Sequence, residues 1–467
     1  TFTGATDVLA RGVSIETAAT LTLDGVTIAN NSAAPPWHWD SDDPGPAAVV
    51  ATGGPALTVT SSTVTGTVFG GGILDHAPSG SLTVQDAMIT GNTGIGTAGG
   101  IAALGRHLTI ADTTVADNHP PEVQVPDGPV TTFDRLELDE DDLARAGGVY
   151  APSVTAERVR IERNAGYDTG GIEASAIALT DAHIRHNVGT ITGGVTAGPG
   201  SSVVRATIEE NIGELVGGGL RADTWCTDTC PSTVTVSDSL VRANASVYGG
   251  GAATVTQRTG GTVTFPPGDT LVLHQVSIVD NVAETGNSLM VAGGTTAVVE
   301  SATMTGGHPL DDAEGTPADI GEVYIFPTPA PILTITDTVV ATDGAHAACA
   351  LTAGAVTSGG GNVVSDGTCG LDEASDLSGV GDVGLGPLAD NGGPTLTRLP
   401  APGSPLLDRA VGTCGPADQR GLPRPQGPAC DTGAVERPLG GFHPMPPTRV
   451  LDSRDGTGGW TTPLGAG

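Results

Sequence analysis

Carboxylates are the side chains best placed here to do chemistry. Glu162, Glu209 and Glu210 fall at matching points of a repeated segment, and Asp181 stands at the bend of another copy. Two carboxyl groups about 5–9 Å apart on one face are the machinery of glycosidic-bond hydrolysis. Neighbouring turns of a stacked chain would bring such a pair together. A second group is Pro35-Pro-Trp-His-Trp-Asp-Ser-Asp-Asp43. Trp37 and Trp39 offer flat faces for stacking on sugar rings, and Asp40, Asp42 and Asp43 offer the hard oxygens that suit Ca²⁺. The run Asp139, Glu140, Asp141 and Asp142 offers the same. Calcium is therefore the one cofactor the sequence suggests. The plainer reading of both runs is a solvated acidic loop, with tryptophan anchoring the first to the body. No lysine occurs, because all 19 basic residues are arginine, so a lysine general base is excluded.

Composition narrows the partners. The formal net charge of −33 repels nucleic acid and anionic membrane surfaces. No stretch is long and apolar enough to span a bilayer. Six cysteines fall as sequence neighbours, Cys226 with Cys230, Cys349 with Cys369 and Cys414 with Cys430. Such pairs suit disulfides in an oxidising compartment; zinc is the rival reading for Cys226 and Cys230, without a second ligand pair nearby. No leader is visible, and Thr1 enters in mid-repeat, as in a mature or trimmed piece of a longer precursor.

The elements that would position these groups come from repetition. Leu21-Thr-Leu-Asp-Gly-Val-Thr-Ile28, Leu57-Thr-Val-Thr-Ser-Ser-Thr-Val64, Leu82-Thr-Val-Gln-Asp-Ala-Met-Ile89 and Leu108-Thr-Ile-Ala-Asp-Thr-Thr-Val115 begin a series of eleven copies. Alternation with period two makes each a strand, a polar bend and a second strand, with one face buried. The tightest steps, Val154 to Ile177 to Ser201, are 23 and 24 residues, one turn of a three-sided coil. Asn31, Asn92, Asn118, Asn164, Asn187, Asn211, Asn244 and Asn281 recur three residues after the closing apolar residue. Asparagine tolerates a left-handed corner, and stacked asparagines can hydrogen-bond along a ladder. Glycine pairs from Gly71-Gly72 to Gly250-Gly251 form a further column, expected to supply positive φ where a strand begins. A β-sandwich would not hold one register over some 300 residues. The expected fold is an all-β, right-handed parallel β-helix, a solenoid whose coils bury each other's inner faces.

Residues 1–343 are then coils, with loop insertions near 32–50, 119–146 and 223–232. Residues 344–436 are the last coils and a disulfide-containing cap, and 437–467 a linker and the first segment of another β-rich domain. The cap is expected to block the open end of the stack, where unpaired backbone groups invite another chain.

From Ser358 onward the sequence is distinctive. It reads Gly359-Gly-Gly-Asn362, Gly386-Pro-Leu-Ala-Asp-Asn-Gly-Gly-Pro-Thr-Leu-Thr397, Pro402-Gly-Ser-Pro-Leu-Leu-Asp408, Asp418-Gln-Arg-Gly-Leu-Pro-Arg-Pro425 and Cys430-Asp-Thr-Gly-Ala-Val-Glu436. This resembles the C-terminal region of bacterial choice-of-anchor β-helix surface proteins. The coils are similar, more weakly, to polymorphic outer-membrane protein repeats. The segment Pro446-Pro-Thr-Arg-Val-Leu-Asp-Ser-Arg-Asp-Gly-Thr-Gly458 resembles the start of a β-rich domain of secreted actinobacterial proteins. The resemblance implies export and surface display and no particular reaction. The marks expected of pectin-cleaving relatives, Gly-His-Gly and Arg-Ile-Lys, are absent, as is the Asp-Pro-His of alginate epimerases.

The sequence therefore favours a secreted or cell-surface structural or adhesive protein meeting an extracellular polysaccharide or cell-surface ligand. The alternative is a polysaccharide lyase or glycoside hydrolase with a carboxylate site on one face. A lesser one is ice binding by the outward column Thr22, Thr58, Thr83, Thr109, Thr155, Thr235 and Thr334, which Ala178, Ser202, Val272 and Val298 interrupt. Oligomeric state is left open.

Overall fold

The computed structural model describes residues 20–31, 47–119, 144–223, 233–255, 270–310, 318–323 and 330–438, apart from a few positions within them, with short stretches at 2–3, 13–15 and 123–126. Two compact units are distinguished, Thr1–Arg437 and Pro438–Gly467; all but the first residue of the second lie outside the described residues.

A typical coil contributes three main strands, for example Ile101–Ala103, His107–Ala111 and Thr114–Ala116; the first two are continuous in Val149–Glu157 and Ile172–Thr180, and short strands from Ala165–Gly166 to His308–Pro309 add a separate six-stranded sheet. First and second strands join one 22-stranded sheet, and third strands form a 14-stranded sheet. Every pairing between named strands from residue 57 to 340 is parallel, and the one antiparallel pair among the described residues, Leu385–Ala389 with Thr397–Pro400, lies in the cap. The register is that of the repeat: Leu21, Leu57, Leu82, Leu108, Val154 and Ile177 lie on successive rungs. A further copy, Val356 beside Leu333, extends the series past the last one legible in the sequence. The chain is an all-β parallel β-helix.

Its core is aliphatic and stacked. Ile161, Ile184 and Ile208 are fully buried on adjacent rungs of the third-strand sheet. Each such side chain contributes roughly 1.5–3 kcal/mol of burial, available only because the next coil covers it.

The asparagine column is a closed ladder from Asn92 to Asn281. Asn187 is typical. Its Nδ2 donates to the Ile161 carbonyl at 2.9 Å and to Asn211 Oδ1 at 2.9 Å, while its Oδ1 accepts from the Asn164 backbone N–H at 3.1 Å and Asn164 Nδ2 at 3.0 Å. Both amide hydrogens and both lone pairs are used. Asn31 stands outside the ladder, because the next rung carries Thr67, whose N–H bonds to Asn92. The corner itself corrects the expectation. The left-handed residue is the one before each asparagine, such as Asp117 (φ 55), His186 (φ 52) and Glu210 (φ 56), and the ladder asparagines are not among the positive-φ residues.

The glycine pairs are also corrected. None of Gly71-Gly72 to Gly250-Gly251 has positive φ. They are needed because a Cβ has no room: one on Gly148 would lie 2.5 Å from the Gly171 carbonyl oxygen and 2.9 Å from an Ile161 methyl. The pair lets the chain pass beneath the asparagine ladder into the next strand.

The cap departs from expectation most. Val363–Val364 and Leu377–Ser378 add the last two rungs of the third-strand sheet. The chain from 381 to 437 does not plug the end of the stack; it folds back along the outer face of that sheet. Gln419 Nε2 donates to the Ser239 carbonyl at 3.0 Å, Ser277 donates to Gln419 Oε1 at 2.6 Å, and the Ala434 N–H donates to Thr303 Oγ1 at 3.0 Å. Small polar side chains on these rungs leave room for that backbone. The motif residues explain themselves: Arg420 with Asp418 (2.6 Å) and Arg424 with Glu436 (3.0 Å) are fully buried ion pairs that set the cap's shape. Disulfides join Cys349 to Cys369 and Cys414 to Cys430. Cys226 and Cys230 lie outside the described residues.

Candidate functional site

The carboxylates read from the sequence do meet on one face. On the third-strand sheet Glu162, Arg185, Glu209 and Arg242 occupy successive rungs of one column. The flanking columns alternate in the same way. Asp112 pairs with Arg158, Asp117 with Arg163, Asp181 with Arg205, and Glu210 with His186. Within the column Arg185 reaches Glu162 at 2.7 Å, and Glu209 takes Arg242 at 2.7 Å and His183 at 2.6 Å. Burial works against charge on Glu209, but His183 and Arg242 outweigh it and hold its carboxyl down at about 2. Burial likewise opposes charge on Glu162, and Arg185 and Arg160 again lower it. Two rungs, about 9.6 Å, separate these carboxylates, with a guanidinium between them. Neither carries a proton near neutrality, so the pair is a charge lattice and not an acid with a base. The cap segment Asp390–Leu396 walls this face, leaving a cleft of about 460 Å³ over Asp181, His183, Arg205 and Glu209.

A different face carries the groups that the sequence reading missed. On the first strands, Val149, Ile172, Val195 and Leu220 point into the core. The next residues, Tyr150, Glu173, Thr196 and Arg221, therefore point outward, on four successive rungs. They line a cleft of about 310 Å³, with Arg145, Asp223 and the turn at Gly198 and Pro199 as walls. A legible signal existed: each stands two residues after a glycine pair. The same position holds Leu74, Ala102, Ala253 and Met290 in other coils.

The electrostatics of this cleft differ from those of the lattice. Arg145 donates twice to Glu173 Oε1, at 3.1 and 2.7 Å, and reaches Asp168 at 3.1 Å. Its guanidinium lies 5.0 Å from the centre of the Tyr150 ring. Arg221 is buried and paired to Asp223 at 2.9 Å. Glu173 is nine-tenths buried, and its second oxygen, Oε2, has no hydrogen-bond partner; neither has Arg221 Nε. Burial pushes the Glu173 carboxyl above its ordinary value; Arg145 pulls it back in part, and Asp168 pushes it further up. Burial disfavours charge on a carboxyl oxygen that has no donor.

Trp37, Trp39, Asp40, Asp42, Asp43, Asp139, Glu140, Asp141 and Asp142 lie outside the described residues. Among the described residues no three His, Cys, Asp or Glu side chains are grouped to hold a metal ion, and no helix is long and apolar enough to cross a membrane. The threonines at 22, 58, 83, 109 and 155 do form one register column, interrupted by Ala178 and Ser202 before Thr235 and by Val272 and Val298 before Thr334.

Fold and site define the class: a parallel β-helix with a side-docked cap and a polar cleft across its first strands. No family model matches the chain, and no curated protein matches it. A solved structure, the crystal structure of pectate lyase Pel9A, is similar at a TM-score of 0.40 and 14% identity, over 82% of this chain and 88% of that one. A likeness that slight decides nothing about chemistry.

Proposed function

We propose that the protein is an extracellular, polysaccharide-directed β-helix that lays a glycan chain in the cleft of Tyr150, Glu173, Thr196 and Arg221. The observation that carries this is the column itself. Four consecutive rungs present an aromatic ring, a carboxyl, a hydroxyl and a guanidinium about 4.8 Å apart. A sugar ring stacks on tyrosine, and its vicinal hydroxyls pair with carboxyl and guanidinium groups. Sites of this kind are concave, with few convergent polar groups. The disulfides suit an oxidising, extracellular setting. This reading ranks ahead of a purely structural or adhesive role because a stacked scaffold has no need of a buried carboxyl with one oxygen left without a donor. The adhesive reading draws on the third-strand lattice instead, whose alternating charges form an ordered polar surface.

Affinity electrophoresis against a panel of soluble polysaccharides tests the proposal. At least one should retard the protein, and Tyr150→Ala should weaken that retention about tenfold or more. Retention untouched by Tyr150→Ala, with cell binding intact, would move the function to the lattice face.

A further inference from the structure

We propose that this cleft hydrolyses an uncharged polysaccharide, with Glu173 as general acid and Asp223 as general base; the inference rests on the glycan reading of the same cleft. The geometry points to two roles for two carboxyls. Glu173 is buried, with Oε1 held by Arg145 and Oε2 free of any protein partner. A proton on Oε2 finds its acceptor only when a ligand supplies an oxygen. Asp223 is paired with Arg221 at 2.9 Å. It stands two rungs from Glu173 and two residues further along its strand, so the two Cα atoms lie about 12 Å apart. Both side chains line one cleft, and the proposed step requires their carboxyls about 6.5–9.5 Å apart, which leaves room for a water beside the sugar.

The step balances without any further reagent. Glu173 gives its proton to the glycosidic oxygen as the bond from the anomeric carbon to that oxygen breaks. Water adds to the anomeric carbon from the opposite face and loses a proton to Asp223. Solvent then returns one proton to Glu173 and takes one from Asp223. A single displacement by water inverts the configuration at the anomeric carbon.

Charge selects the substrate class. With Glu173 protonated, the cleft holds two guanidinium groups, Arg145 and Arg221, and two carboxylates, Asp168 and Asp223, each already paired. Among the described residues no unpaired cation lines the cleft for a uronate, and the net charge of −33 repels polyuronates at long range.

The test uses the whole chain on neutral glucans, xylans, mannans and galactans beside pectate and alginate. Reducing ends, the anomeric configuration of the first product and retention on the same polysaccharides are measured in parallel. A neutral polymer should yield reducing ends with inverted configuration. Glu173→Gln should lower the rate at least 100-fold, far more than it weakens retention. Glu173→Asp keeps the carboxyl on a shorter side chain; it should lower the rate and shift the alkaline limb of the pH profile. Asp223→Asn should remove the acidic limb. Retention without cleavage across the panel would overturn the hydrolytic inference and leave glycan binding standing. Neither retention nor cleavage would overturn both. Cleavage at the wild-type rate by Glu173→Gln would exclude Glu173 as the acid.

Discussion

Replacing one ladder asparagine should cost far more than its size suggests. Asn187→Ala removes the four hydrogen bonds made by one side chain: two donated, to the Ile161 carbonyl and Asn211 Oδ1, and two accepted, from the Asn164 N–H and Nδ2. All of these groups are buried, and no water can replace a partner without opening the corner. A buried group left unpaired costs about 1–3 kcal/mol. Even if the coil relaxes enough to rescue half of them, about 2–6 kcal/mol is lost. Thr83→Ala, an outward position on the same stack, should stay within about 0.5 kcal/mol. Urea unfolding followed by circular dichroism gives the comparison, with hydrogen exchange at Asn164 and its neighbours locating the loss. Exchange matters because a solenoid can open coil by coil, so a single transition is not assured. Asn187→Ala within 1 kcal/mol of wild type, with Asn164 still protected, would refute the ladder as a source of stability.

Other outcomes follow from the charged faces and the cap. The Glu209 carboxyl is depressed to about 2, so the stability it contributes is full above its unfolded value near 4.5 and is lost as pH falls toward 2. Glu209→Gln should be less stable than wild type by on the order of 1–3 kcal/mol at pH 7, allowing for partial screening, and the gap should close by pH 2; a gap constant with pH would contradict the pairing. Arg424→Met leaves Glu436 buried without its partner and should cost about 3–5 kcal/mol, seen as early proteolysis within 381–437. Adding Glu436→Leu should recover much of that; no recovery would mean that the pair is not the source of the loss.

The fold was legible because stacking imposes identity: the same apolar, asparagine and glycine columns recur at every coil, and only a parallel stack uses them. Their reasons were less legible. Asparagine looked like a corner residue because its backbone tolerance is a familiar local property, whereas its ladder bonds join residues 23 to 46 positions apart. The glycine pairs looked like turn residues, and only the neighbouring coil's carbonyls show that they are there for lack of space. The cap's buried arginines and acids gave no hint of direction, since a segment that folds back and one that plugs an end have the same composition. At the candidate site, Glu162, Glu209, Glu210 and Asp181 were visible and do share a face, but their arginine partners on adjacent rungs silence them as acids. Glu173 was passed over because it stands alone in sequence; Arg145, Asp168 and Arg221 become its surroundings only once the coils are stacked.

Hydrogen exchange footprinting with a retained polysaccharide tests the central claim most directly. Protection is predicted at 149–151, 172–175, 195–199 and 220–223, on consecutive rungs of one face. Protection confined to 160–163, 183–186 and 207–210 on the lattice face, or none at all, would contradict it.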